Sequence, residues 1–124
     1  MARPRILIAD DEEGIRESLS LILGEHYELL FVHDGEGALE ALRQPSFDMV
    51  LLDIKMPKMD GLEVLRTLQR EGRNHLPPVI MLTAYQSVEL AKEAVKLGAC
   101  NYLPKPFERD QILTAVKGAL RPAS

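Results

Sequence analysis

With a single cysteine the chain can close no disulfide on itself, and Cys100 stands beside Ala99 in an apolar, strand-like stretch where packing, ahead of thiol chemistry, is the expected role. Long hydrophobic runs are missing too. The longest, such as Ile6 to Ala9 and Met49 to Leu52, fall far short of the roughly 18 apolar residues a membrane span needs. Arg3 and Arg5 precede too short an apolar run for a secretory signal, so a cytoplasmic protein is expected. Basic residues are dispersed and the net charge is −4, which leaves no Lys/Arg patch for direct nucleic-acid binding. His26, His33 and His75 lack metal-ligand spacing, which points them to surface or turn positions. No repeat, low-complexity tract or internal linker interrupts the 124 residues. At 46% hydrophobic and 27% charged residues they suit one domain, 1–124, with a core that needs no staple.

What the chain does contain is a regular alternation of short apolar runs and helical periodicities. Arg5 to Asp10 reads as a strand that ends in the acidic cluster Asp10-Asp11-Glu12-Glu13. Ile15, Leu19, Ile22 and Leu23 then fall on one helical face that Gly24 closes, with Glu12 and Glu13 in the first turn, where the helix dipole favours negative charge. Tyr27 to Val32 is a second strand, followed by Asp34-Gly35 and a short helix, weakened by two glycines, that turns Ala38, Leu39 and Leu42 inward. Asp48 to Leu52 is a third. Pro57 cannot continue it, and Asp60 and Glu63 have capping-box spacing ahead of a helix striped by Leu62, Leu65 and Leu68. That helix ends in the polar stretch Glu71 to Asn74. Pro77-Pro78 introduces a fourth strand, Val79 to Leu82, ending at Thr83.

Ser87 caps the next helix, which runs to Leu97 with two apolar stripes: Val88, Ala91 and Val95 on one line, Leu90, Ala94 and Leu97 on the other. A helix packed on one side needs only one, so the second belongs either to a wide buried face or to a partner surface. Asn101 to Leu103 is a short fifth strand, Pro104-Lys105-Pro106 breaks the chain, Glu108 to Leu120 is the last helix, and Arg121 to Ser124 should fray. Five strands alternating with five helices imply an α/β fold: a doubly wound, five-stranded parallel sheet with helices on both faces.

In a flavodoxin-like strand order 2-1-3-4-5, Asp10, Asp11 and Asp53 finish neighbouring strands and share one crevice. Asp53 on its own reads sooner as a turn cap. Two ionised carboxylates about 4 Å apart repel by roughly 4 kcal/mol at an effective dielectric of 20, so three of them require compensation. A raised pKa on one is one answer; a hard divalent cation such as Mg²⁺, completed by a backbone carbonyl near Lys55, is the more economical one. Thr83 and Lys105 end the fourth and fifth strands at the same edge, a hydroxyl and an ammonium suited to phosphoryl oxygens. The set suggests a carboxylate nucleophile that forms an acyl phosphate.

These residues resemble those of a response-regulator receiver domain of two-component signal transduction, CheY-like, over nearly the whole chain. The resemblance rests on Asp10-Asp11, on Asp53 with Met56-Pro57-Lys58-Met59-Asp60-Gly61, on Thr83-Ala84, on Gly98-Ala99, and on Tyr102-Leu103-Pro104-Lys105-Pro106-Phe107. It implies that Asp53 is the phosphoacceptor, that Asp10, Asp11, Asp53 and the Lys55 carbonyl bind Mg²⁺, and that Thr83 and Lys105 hold the phosphoryl group. It also implies a cis Lys105–Pro106 bond and a switch coupling Thr83 to Tyr102, with output through the fourth helix, fifth strand and fifth helix. A histidine kinase or histidine phosphotransfer protein would be the donor, an output domain or target protein the recipient, and a phosphorylation-dependent dimer one outcome.

Lys55 and Tyr85 lie two residues beyond Asp53 and Thr83, where they either obstruct an in-line water and set the phosphoryl lifetime or point to solvent. Met56 and Met59 should pack under the site loop. Three other functions compete. A non-phosphorylated interaction module would have no need of every acid, hydroxyl and ammonium. A flavodoxin-like redox domain would need a Gly/Ser/Thr-rich loop where Asp10 to Glu13 stand, and a phosphohydrolase of the DxD type would carry an acid at position 55, which is Lys55.

Overall fold

The computed structural model describes residues 3–73, 76–85 and 87–120. Its elements are β1 (Arg5–Ala9), α1 (Glu13–Leu23), β2 (Glu28–Val32), α2 (Gly35–Leu42), β3 (Met49–Leu52), α3 (Gly61–Arg70), β4 (Val79–Thr83), α4 (Val88–Lys96), β5 (Ala99–Pro104) and α5 (Arg109–Leu120). All strand pairs are parallel, in the order β2-β1-β3-β4-β5, the topology the sequence predicts. Asn74, His75 and residues 121–124, to which the sequence assigns a helix end, a surface position and a frayed terminus, lie outside the described residues.

Alternation along the central strands divides the core. Leu7, Ala9, Val50, Leu52, Val79 and Met81 face the helices that contribute Ala38, Leu65 and Ala94. Ile6, Ile8, Met49, Leu51, Ile80 and Leu82 face the opposite way, toward Leu19, Leu23, Ile112 and Val116. β3 and β4 are buried at every position, because helices cover both faces of a parallel sheet. The loops at the carboxyl ends of the strands are drawn inward by Met56 and Met59, both packed against the first of these clusters.

Three local features differ from the sequence reading. β5 begins two residues early, at Ala99, and its register against β4 shifts between Val79 and Ile80, leaving Cys100 as the unpaired residue of an edge strand. Cys100 is therefore exposed, against the packing role expected of it. The glycines of α2 do more than weaken a helix: a Cβ on Gly35 would lie 1.9 Å from the Met59 carbonyl oxygen, so only glycine lets α2 approach the β3–α3 loop. Of the two stripes on α4, Ala94 is buried with Leu90 and Leu97 packed beside it, whereas Val88 and Val95 are 71% and 63% exposed. The stripe that carries Val88 and Val95 is the surface one.

Candidate functional site

Register brings the acids together. Ala9 pairs with Leu52 across β1 and β3, so the next residues, Asp10 and Asp53, end adjacent strands side by side. The Asp53 N–H donates to the Ala9 carbonyl (3.0 Å) and the Asp10 N–H to Val32 (3.1 Å), which carries the ladder one step past the strands and fixes both backbones. Thr83 pairs with Pro104 at the end of β4 and β5, and the Lys105 N–H donates to the Thr83 carbonyl (2.9 Å). Lys105 therefore enters the crevice from the far side, ahead of a cis Lys105–Pro106 peptide.

The Lys105 ammonium is the hub of the site. Its Nζ donates to Asp53 Oδ2 (3.0 Å) and Glu12 Oε1 (3.1 Å) and lies 2.7 Å from Asp10 Oδ2. This last contact is an ion pair off the hydrogen-bond direction, so Asp10 Oδ2 is buried without a hydrogen-bond partner. Asp10 and Asp53 are almost wholly buried, and that burial raises both carboxyl pKa values above their ordinary 3.8, with the nearby Lys105 ammonium opposing the shift. Burial disfavours the ammonium too, but its close contacts with the Asp10 and Asp53 carboxylates outweigh that and hold the Lys105 pKa above its usual value. The cation thus supplies part of the compensation that the carboxylates demand.

It does not supply all of it. One oxygen from each of Asp10, Asp11, Glu12 and Asp53 lies within 4.8 Å of the others, and one ammonium contacts three of the four. The orphaned Asp10 oxygen and the all-oxygen donor set fit a hard divalent cation better than a soft or nitrogen-seeking one. Beside these groups is a cleft of about 210 Å³ lined by Asp11, Glu12, Asp53, Lys55, Ala84, Tyr85 and Lys105. A larger cavity, about 490 Å³, lies at the opposite edge of the sheet near Pro78 and Gly98, and no carboxylate lines it. Size alone would have chosen the wrong one.

Thr83 is fully buried and takes part through its hydroxyl, not as a lining residue. Its Oγ1 accepts the Tyr85 N–H (3.1 Å), and the Tyr85 carbonyl accepts the hydroxyl of Tyr102. Tyr102 is half-buried against the same cluster as α3, with burial raising its phenol pKa. The backbone of one residue, Tyr85, thereby connects the two residues assigned to a switch. Lys55 Nζ sits 5.1 Å over the Tyr85 ring centroid, so these two side chains meet at the mouth of the cleft instead of pointing separately to solvent.

Glu12 is the residue that sequence reasoning undervalued. Placed at the start of a helix, it has an obvious dipole role; the structure makes it the α1 N-cap, with its N–H donating to Asp10 Oδ1 (2.9 Å) and its carboxylate on Lys105. A third consecutive acid after a strand was the available signal. Gly61 is the first residue of α3, and its N–H donates to the Ile54 carbonyl (2.7 Å).

Comparison with known proteins bears on the same residues. The family model described as response regulator receiver domain matches residues 6–117. The chain is 40% identical over 118 residues to the response regulator MprA of Mycobacterium ulcerans, covering 94% of this chain and 50% of that protein. To MprA of Mycobacterium tuberculosis it is 39% identical, with the same coverage. It therefore spans about half the length of these curated relatives. Among solved structures, the chemotaxis protein CheY4 of Vibrio cholerae superposes with a TM-score of 0.86 at 31% identity, over 96% of this chain and 100% of that one. A chain of the CheX–CheY–BeF3–Mg²⁺ complex from Borrelia burgdorferi gives 0.87 at 30% identity, over 98% and 92%.

Proposed function

Because the chain belongs to the response-regulator receiver family of two-component signal transduction, we propose that it is a phosphoacceptor switch whose nucleophile is Asp53. The observation that carries this reading is the Lys105 ammonium bonded to Asp53 Oδ2 (3.0 Å) beside a second buried carboxylate, Asp10. Lys105 opposes the rise that burial imposes on the Asp53 carboxyl pKa and stands where a phosphoryl oxygen on Asp53 would need a counter-charge.

An Asp53 carboxylate oxygen attacks the phosphorus of a phosphohistidine; the O–P bond forms, the P–N bond breaks, and the imidazole leaves with a proton. Asp10, Asp11, Asp53 and the Lys55 carbonyl would hold Mg²⁺, which neutralises charge on the transferring group. The Thr83 hydroxyl then exchanges the Tyr85 N–H for a phosphoryl oxygen. Tyr102 follows, because its hydroxyl is tied to the carbonyl of Tyr85, and the surface of α4, β5 and α5 changes with it. The donor is a histidine kinase or histidine phosphotransfer protein, and the chain turns over only its own phosphoryl group. A target protein or output domain reads the exposed Val88 and Val95 side of α4.

Mass spectrometry after incubation with acetyl phosphate and Mg²⁺ tests the reading. One phosphoryl adduct on the wild type and none on Asp53→Asn is the expected result. No adduct, or one that survives in Asp53→Asn, overturns it.

A further inference from the structure

The helix that carries the output surface is the one least anchored by apolar packing. Ala94 alone among the residues of α4 is fully buried, whereas α3 buries Gly61, Leu62, Val64, Leu65 and Leu68. What α4 has instead is polar fastening. Ser87 caps its amino end by accepting the Leu90 N–H (3.3 Å). On its flank, Arg66 of α3 donates Nε to Glu93 Oε1 of α4 at 2.9 Å, and its Nη2 donates to the same oxygen. The guanidinium is held from behind by Glu63, which accepts Nη1 at 3.0 Å and also takes Arg70 at 3.3 Å. A loosely packed helix is thus pinned to a rigid one through a pre-oriented arginine fork. The rigid helix itself begins at Gly61, against the backbone of Asp53.

We propose that the Arg66–Glu93 pair is a brake on the switch, holding α4 in the arrangement that accompanies an unphosphorylated site. The site has the matching arrangement: Lys105 is shared among Asp10, Glu12 and Asp53, and the Thr83 hydroxyl is taken by Tyr85. The inference rests on the phosphoacceptor reading and adds a control of its equilibrium. With the two side chains 35% and 40% exposed, the pair is too weak to lock α4 and strong enough to bias it. A ligand that binds only the released state then has its affinity reduced by the fraction released. Removing the brake should tighten such binding about two- to five-fold.

The test uses the 124-residue chain with beryllofluoride and Mg²⁺ as the phosphoryl mimic, titrated calorimetrically against wild type, Arg66→Ala, Glu93→Ala and the double variant. Amide hydrogen exchange of α4 is followed in parallel without the mimic. Supporting results are tighter binding in each single variant, a double variant no tighter than either single, and faster α4 exchange in all three. Non-additivity of this kind marks one shared interaction, whereas unrelated surface effects would add. Unchanged affinities, or a double variant whose gain is the product of the singles, overturn the brake. If the wild type binds no mimic, the phosphoacceptor reading fails, and α4 exchange alone decides the brake: unchanged exchange in Arg66→Ala refutes it.

Discussion

The α-carbon of Gly61 stands so close to the backbone of Asp53 that a Cβ built there would lie 2.2 Å from the Asp53 carbonyl oxygen. The first turn of α3 is therefore the floor on which the site carboxylate rests. Gly61→Ala must push that floor or the β3–α3 loop aside, an overpacking cost of about 1–3 kcal/mol. Urea denaturation should register the loss, and adduct yield with acetyl phosphate should fall with it. Gly118→Ala, at a position in α5 with nothing within 4 Å, is the contrasting case and should gain about 0.5–1 kcal/mol.

Lys105→Met should leave Asp10 and Asp53 buried without their cation, costing about 3 kcal/mol near neutral pH. The pH dependence has a definite sign. Burial raises both carboxyl pKa values above 3.8 in the folded protein, and Lys105 opposes the rise. A carboxyl with a raised folded pKa favours folding below its unfolded value, and that contribution is lost as pH climbs through the folded value. Without Lys105 the rise is larger, so the stability gap to wild type should be smallest near pH 4 and widen toward pH 7. Added Mg²⁺ should narrow it. A gap that does not change with pH would contradict the ion-pair account.

Lys55 and Tyr85 meet across the mouth of the cleft at 5.1 Å. If they shield the acyl phosphate from an in-line water, Lys55→Ala and Tyr85→Ala should each shorten its half-life about two- to five-fold, the scale of an exposed cation–π contact. The decay of the adduct after removal of acetyl phosphate measures this. Rates matching the wild type would leave the pair no role in lifetime.

Away from the site, Glu71 accepts hydrogen bonds from Arg43, which caps the end of α2, and from Arg73, and these hold its carboxyl down from 4.5 to about 2. A depressed folded pKa contributes stability above the unfolded value that disappears as pH falls through the folded one. Acid titration of stability should therefore be flatter for Glu71→Gln than for wild type between pH 4.5 and about 2.

Legibility in the sequence followed a physical line. The strands were readable because a strand buried on both faces has to be a continuous apolar run, and the site was readable because each run ends at a residue with distinctive chemistry: Asp10, Asp53, Thr83, Lys105. The weight of Glu12 was hidden, since its partner lies 93 residues away on another strand end. The glycines at 35 and 61 looked like punctuation, and only the atoms they nearly touch reveal them as contact points. Cys100 was misread because a one-residue register shift decides which way an edge residue faces.

From the amino-acid sequence alone came the alternation of elements and the set of side chains that end the strands, for these depend on local periodicity, whereas the sheet order followed from the resemblance to receiver domains. Tertiary structure decided how one ammonium is divided among Asp10, Glu12 and Asp53, which stripe of α4 meets solvent, and that Arg66 reaches Glu93. Each of these depends on a distance of a few ångströms between residues remote in the chain. Such distances are set by packing, which no periodicity encodes.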